Sequence, residues 1–183
     1  MDVLLPLGAA LIATSGYAAS DVQSVYERAL AIGREVDAPK DLQRALRGLW
    51  NVALVRADLE RAQELAHELM QRAEFGGREA ATQTFDAHAK LGQTFLHLGR
   101  LAQAQEHLGT ALVMPLDAAA RTRETPRVAG YLAWVKWYRG WPDQALSAAD
   151  LACELAQAAG NPHSCAFALG FAAHRADPDA AVL

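Results

Sequence analysis

The sequence predicts an all-α fold, an αα-superhelix of about four helix pairs plus a terminal helix, with a repeat period near 41 residues. Three observations carry this. Of 183 residues, 40 are Ala and 25 are Leu, against 10 Val and 2 Ile; Ala and Leu lead the helix propensities, while β-branched residues favour strands. Four small-residue anchors, at Gly16, Ala57, Gly99 and Gly140, follow one another at spacings of 41, 42 and 41. Each anchor closes one apolar-periodic segment and opens another. The composition excludes an ordinary β-sandwich or barrel, and the 52% hydrophobic content excludes a disordered chain.

Along the chain, the first segment, Val3 to Ala13, is apolar and ends at Gly16-Tyr-Ala-Ala. Together with Ser20 it has the outline of a secretory leader. Asp2 and the lack of Lys or Arg before it argue instead for the first helix of a repeat. Ser20 and Gln23 form a capping box for the next helix, in which Val22 and Ala29 stand seven apart. In the second repeat Leu49-Trp50 precede Ala57, and Leu59, Ala62, Ala66 and Leu69 follow it. In the third, Leu91-Gly92 precede Gly99, and Leu101, Ala104, Leu108, Ala111 and Leu112 follow. In the fourth, Leu132-Ala133 precede Gly140, and Ala145, Ala149, Ala152 and Ala156 follow. Spacings of three, four and seven place each set on one helical face.

Pro39, Gly76-Gly77, Pro126 and Pro162 punctuate the starts of new first helices, and Gly160-Asn-Pro162 is a strong helix stop. The predicted helices are 3–15, 20–36, 40–55, 58–75, 79–97, 100–114, 126–139, 142–159 and 162–175. The longest connector, 115–125, has room for a short helical turn. A single repeat domain therefore spans 1–176, with repeats near 3–37, 38–76, 77–118 and 124–160, a terminal helix at 162–175 and a frayed tail at 177–183.

Leu91-Gly92, Gly99, Leu101, Ala104, Leu108 and Ala111 resemble the small and large packing positions of the tetratricopeptide repeat, whose usual period is about 34 residues. The longer period, with Leu46-Arg-Gly-Leu-Trp50-Asn and Gly140-Trp-Pro-Asp-Gln-Ala-Leu146, resembles the helical repeat region of large bacterial signalling ATPases. Such proteins often carry a class III cyclase or a helix-turn-helix regulator at one end. No GxxxxGK[ST] loop occurs in this sequence, so the activity of those relatives does not carry over. The chain is either an excised segment or a stand-alone relative.

The charge balance, 17 Lys+Arg against 21 Asp+Glu, gives net −4. Arginines are scattered, with one small cluster at Arg121 and Arg123, so direct nucleic-acid binding is not expected. The apolar N-terminal stretch is too short for a membrane span. Cys153 and Cys165 read as small buried hydrophobes in a reducing, cytoplasmic setting; a disulfide is the less favoured alternative.

Chemistry is sparse. The six histidines (67, 88, 97, 107, 163 and 174) form no HExxH, and no three ligands converge by spacing, so no metal or cofactor is expected. No GxSxG occurs. Asp58/Glu60, Glu64/Glu68 and Asp177/Asp179 read as helix-start or solvated charges. An enzyme using His97, His107 or Cys153 is the least favoured reading.

What remains is a surface. In tetratricopeptide solenoids the first helix of each repeat lines a concave groove, and carrying those positions over marks Arg44, Arg47, Asn51, Gln93, His97, Arg127, Trp134 and Tyr138. Arg and Asn suit a carboxylate or a peptide backbone, and Trp and Tyr suit interface anchoring. The same residues also have packing or solvated roles to fill, Trp134 and Trp137 as wedges between repeats. The expected function is non-catalytic protein–protein interaction, with a peptide, helix or neighbouring domain as partner. The alternative is a regulatory sensor that takes a small molecule and controls a catalytic or DNA-binding domain. Phe167, Leu169 and Phe171 of the last helix offer an apolar edge for homo-oligomer formation through the terminal helices.

Overall fold

The computed structural model describes residues 3–36, 38–73, 79–115, 118–160 and 162–172. Among them are nine helices and no strand: α1 (Leu4–Ser15), α2 (Ser20–Glu35), α3 (Pro39–Val55), α4 (Leu59–Ala73), α5 (Ala80–His97), α6 (Leu101–Val113), α7 (Ala118–Tyr138), α8 (Pro142–Ala158) and α9 (Pro162–Ala172). The chain divides into two compact units, Met1–Lys90 and Leu91–Leu183, with the division falling inside α5.

The anchors are turns for a backbone reason. Gly16, Ala57, Gly99 and Gly140 all have positive φ, at 78°, 57°, 71° and 78°. At the last three, two hydrogen bonds close the helix end. The Ala57 amide donates to Leu54 O at 3.1 Å and the Asp58 amide to Ala53 O at 2.9 Å. Gly99 and Arg100 donate to Leu96 and Phe95, and Gly140 and Trp141 to Trp137 and Lys136, in the same pattern. This is the Schellman motif, which satisfies carbonyls that the helix end would otherwise leave orphaned. Gly16 differs: its amide makes an ordinary helical bond to Ile12 O, and Ala19 reaches back to Gly16 O at 3.4 Å. The first turn is thus looser, with four residues between α1 and α2 against three at each of the other anchors.

In the first unit, α2 packs on α1 and α3, and α3 packs on α4. Val22, Leu46, Trp50, Leu65 and Leu69 are fully buried, each contributing on the order of 1.5–3 kcal/mol. Tyr26 fills the space over two glycines. A Cβ on Gly8 would lie 2.8 Å from its ring, and one on Gly48 would lie 2.4 Å from it. Arg56 ties the first turn to the second repeat. It donates to the Ala18 carbonyl through Nε (3.0 Å) and Nη2 (2.7 Å), and to Gln23 Oε1 through Nη1.

In the second unit, α7 packs on α6, α8 and α9, and α8 packs on α9. The alanines of the repeat pattern do the close packing: Ala104, Ala111, Ala145, Ala152 and Ala156 are all buried. Gly92 lets Leu108 approach the α5 backbone, since a Cβ there would stand 2.5 Å from Leu108 Cγ. Gly130 does the same for Phe171, at 2.3 Å.

Most helix limits fall within a residue of the sequence expectation. Residues 74–75, 173–175 and the tail 177–183 lie outside the described residues. Two expectations fail. Pro126 does not begin the seventh helix; α7 starts at Ala118 and runs through it. A proline inside a helix costs about 3 kcal/mol, but Pro126 and Val128 are fully buried and Ala129 is too, so apolar burial offsets the lost hydrogen bond. The capping box also does not form. The N-cap is Ala19, with no side-chain cap bond. Gln23 instead donates to Glu27 at 2.7 Å and accepts from Arg56, a tertiary contact displacing a local one.

Candidate functional site

The polar side chains singled out in the sequence lie on α3, α5 and α7. In the first unit, Gln43, Arg47 and Asn51 are spaced by four and share one face of α3. Arg47 is the pivot. Its Nε stands 3.1 Å from Asp86 Oδ2, and its side chain is 39% exposed while that of Asp86 is 8% exposed. Lys90, one turn after Asp86 on α5, is buried at 2%. Its Nζ lies 3.8 Å from Asp86 Oδ1 and 4.3 Å from the centre of the Trp50 ring.

This is a buried carboxylate between two cations. Both Asp86 oxygens are buried without a well-aligned hydrogen bond, so charge attraction, together with the aromatic face under Lys90, compensates the desolvation. The trio carries net charge +1. Gln43 Nε2 is buried without an acceptor, and Asn51 is half-buried. Arg44 stands apart: it is exposed and pairs with Asp41 on its own helix at 3.7 Å.

In the second unit, Arg127, Tyr131, Trp134 and Tyr138 form one stripe of α7, at spacings of four, three and four. Arg127 donates to Glu124, one turn before it, through Nη2, while its Nε is buried without an acceptor. Trp134 has aromatic neighbours from two helices: its ring centre lies 4.4 Å from Phe171 of α9 and 6.0 Å, edge-on, from Tyr131. Its indole Nε1 is buried and unpartnered. Tyr138 is 63% exposed.

Gln93 is 2% exposed with an unpartnered Nε2. One turn later, His97 meets Tyr131 edge-on at 6.4 Å. Desolvation lowers the His97 pKa from its usual 6.5 and raises that of Tyr131. The structure therefore gathers Arg47 with Asn51, and His97 with the Tyr131–Trp134 pair. Arg44 and Tyr138 lie open to solvent. Asp86, Lys90 and Gln43 were not singled out by the sequence, and Tyr131 stood out only as one of four aromatics in the stretch 131–138. The signal for the first two was a charged i, i+4 pair on a helix whose neighbours Phe85, Ala87, Ala89 and Leu91 are buried.

Among the described residues no group of three His, Cys, Asp or Glu side chains is placed to hold a metal. His107 lies 5.4 Å from the Phe95 ring. Among the described residues, no helix is long and apolar enough to cross a membrane. A cleft of about 160 Å³ opens between α2, α3 and α4, with Gln23, Glu27, Arg56 and Arg61 around Leu49 and Leu65.

No known family model matches the sequence, and neither does any curated protein. Among solved structures, the apo form of RapI is similar over 95% of this chain and 69% of its own, with a TM-score of 0.75 and 14% identity. A thermophilic TPR protein of Thermus thermophilus aligns over 93% of this chain and 97% of its own at 20% identity; its TM-score of 0.47 carries no argument. At 14% identity the likeness to RapI is one of fold. The chain has an all-α fold of antiparallel helix pairs, and that fold is what it shares with RapI.

Proposed function

We propose that this chain is a non-catalytic protein-interaction module of a bacterial signalling or transcription-control system, in the cytoplasm, that takes a peptide, a helix or a neighbouring domain. The binding residues are Arg44, Arg47 and Asn51 in the first unit, and Gln93, His97, Arg127, Trp134 and Tyr138 in the second. The observation that carries the reading is Arg47. Its Nε is fixed on a buried carboxylate, while the side chain remains 39% exposed. A guanidinium held in this way presents its remaining donors to a partner with little entropy left to lose. Partner chemistry of the matching kind is a carboxylate or a peptide carbonyl. Nucleic acid and membrane are not expected partners, and self-association through α1 and α9 is the expected oligomer contact.

A peptide array or pull-down tests this. Arg47→Glu is expected to weaken binding at least about tenfold, the value of one charge-assisted hydrogen bond. Tyr138→Ala probes the second unit from an exposed position. Trp134→Ala is less informative, because it also opens the contact with Phe171. Undiminished binding by both Arg47→Glu and Tyr138→Ala removes the proposal.

The alternative is a regulatory sensor of a small molecule that controls a partner catalytic or DNA-binding domain. The cleft beside Arg56 favours it, but about 160 Å³ is half the lower end of ordinary ligand pockets, about 300 Å³. Saturable thermal stabilisation by a nucleotide or sugar would favour the sensor.

A further inference from the structure

The last two helices bring both cysteines to one contact. Cys153 on α8 and Cys165 on α9 are half-buried, and both pack against the same cluster of Ala129, Ala152, Ala156 and Ala168. The register follows from that cluster. The chain reverses at Gly160, whose φ is 61°. With Ala152 and Ala156 of α8 and Ala168 of α9 in one cluster, the residue opposite Cys153 falls near Phe167, and Cys165 lies only about 3 Å away along the axis at 1.5 Å per residue.

The facing is inferred from their neighbours. Cys153 comes two turns after Leu146 on the same stripe of α8, and Leu146 shares a small pocket with Phe171 of α9. That stripe therefore borders α9. On α9, Phe167 and Phe171 turn to Tyr131 of α7. Cys165 sits about 120° around the helix from Phe171, on the side towards α8. Alanine contacts let helix axes approach to about 8 Å. With Cα atoms about 2.3 Å from each axis, facing Cα atoms come within roughly 4–6 Å, inside the span of a disulfide.

We propose that Cys153 and Cys165 are a redox-responsive thiol pair, closed to an intramolecular disulfide by a small disulfide oxidant such as glutathione disulfide. One cysteine thiolate attacks the oxidant's sulfur and expels a glutathione thiolate. The second cysteine thiolate then attacks the mixed disulfide and expels the other. The two cysteines together lose two protons and two electrons, and the oxidant leaves as two glutathione thiols. The bond ties α9 to α8. Because Phe171 of α9 lies over Trp134, it also holds the cover on that indole in place. The oxidant thereby governs how firmly α9 is held over Trp134.

The test uses the full folded chain with glutathione disulfide, without denaturant. Mass spectrometry should show loss of two hydrogens, and a non-reduced peptide map should join the segments carrying residues 153 and 165. Amide exchange in α9 should slow by about tenfold or more, and reductant should restore it. Cys153→Ser and Cys165→Ser should each take one glutathione and leave α9 exchange unchanged. Stable glutathione adducts without an internal bond, disulfide-linked dimers, or reaction only after denaturation would each overturn the proposal. None of these readouts depends on partner binding.

Discussion

Ala57 is the one non-glycine residue with positive φ among the described residues. It occupies the turn position that glycine holds in the other three anchors, so its Cβ meets a carbonyl that glycine would avoid. Ala57→Gly is expected to stabilise the protein by about 1 kcal/mol, seen as a higher urea midpoint with unchanged slope; no change would mean that the turn tolerates its side chain. The small residues at these positions were legible in the sequence because a backbone demand leaves so few choices. The Asp86–Lys90 pair was not. A charge on a helix reads as solvated unless its neighbours in space are known, and here the neighbours are Trp50 and Arg47 from a different helix. Trp134 was legible as an aromatic with two readings, wedge or anchor; only the Phe171 ring 4.4 Å away shows how much of it is already occupied.

At the scale of the element, α5 and α6 meet through a glycine facing a leucine. A Cβ on Gly92 would stand 2.5 Å from Leu108 Cγ and 3.2 Å from its amide nitrogen, in a site where Leu108 is fully buried. Alanine's helix propensity returns about 1 kcal/mol, but overpacking costs about 1–3 kcal/mol. Gly92→Ala should therefore lose about 1 kcal/mol in chemical denaturation. Adding Leu108→Ala should cost less than the sum of the two single losses, because the second change removes the clash. Additive losses would show that the two residues do not constrain each other. Helix cores were legible from periodicity; helix starts were less so. Pro126 misled because its local cost is visible in sequence and its burial is not. Ser20 and Gln23 misled because a cap motif carries no information about Arg56, which arrives from the next repeat.

At the scale of the molecule, the period and its all-α consequence were legible, since the spacing repeats three times and each copy corroborates the others. The partner was not legible, because a binding surface leaves no periodic trace. The first helix supplies a test of the repeat logic. α1 carries no charged residue, its main contacts are with α2 and α3, and Leu7 is 41% exposed. Helices in a stacked array draw stability from their neighbours. In dilute, monomeric protein, amides of α1 should thus exchange at least about tenfold faster than those of α3, which packs on both α2 and α4. Equal protection would mean that another surface, such as a second copy, covers α1. The Schellman turns carry one more implication, for how the chain reaches this state. Each closes within six residues, and the principal contacts join helices that are consecutive or next but one in sequence. Little loop entropy is spent before contacts form, which places the chain among low-contact-order, fast folders. Within each unit, a hairpin made on a ribosome therefore meets its partners soon after it is made.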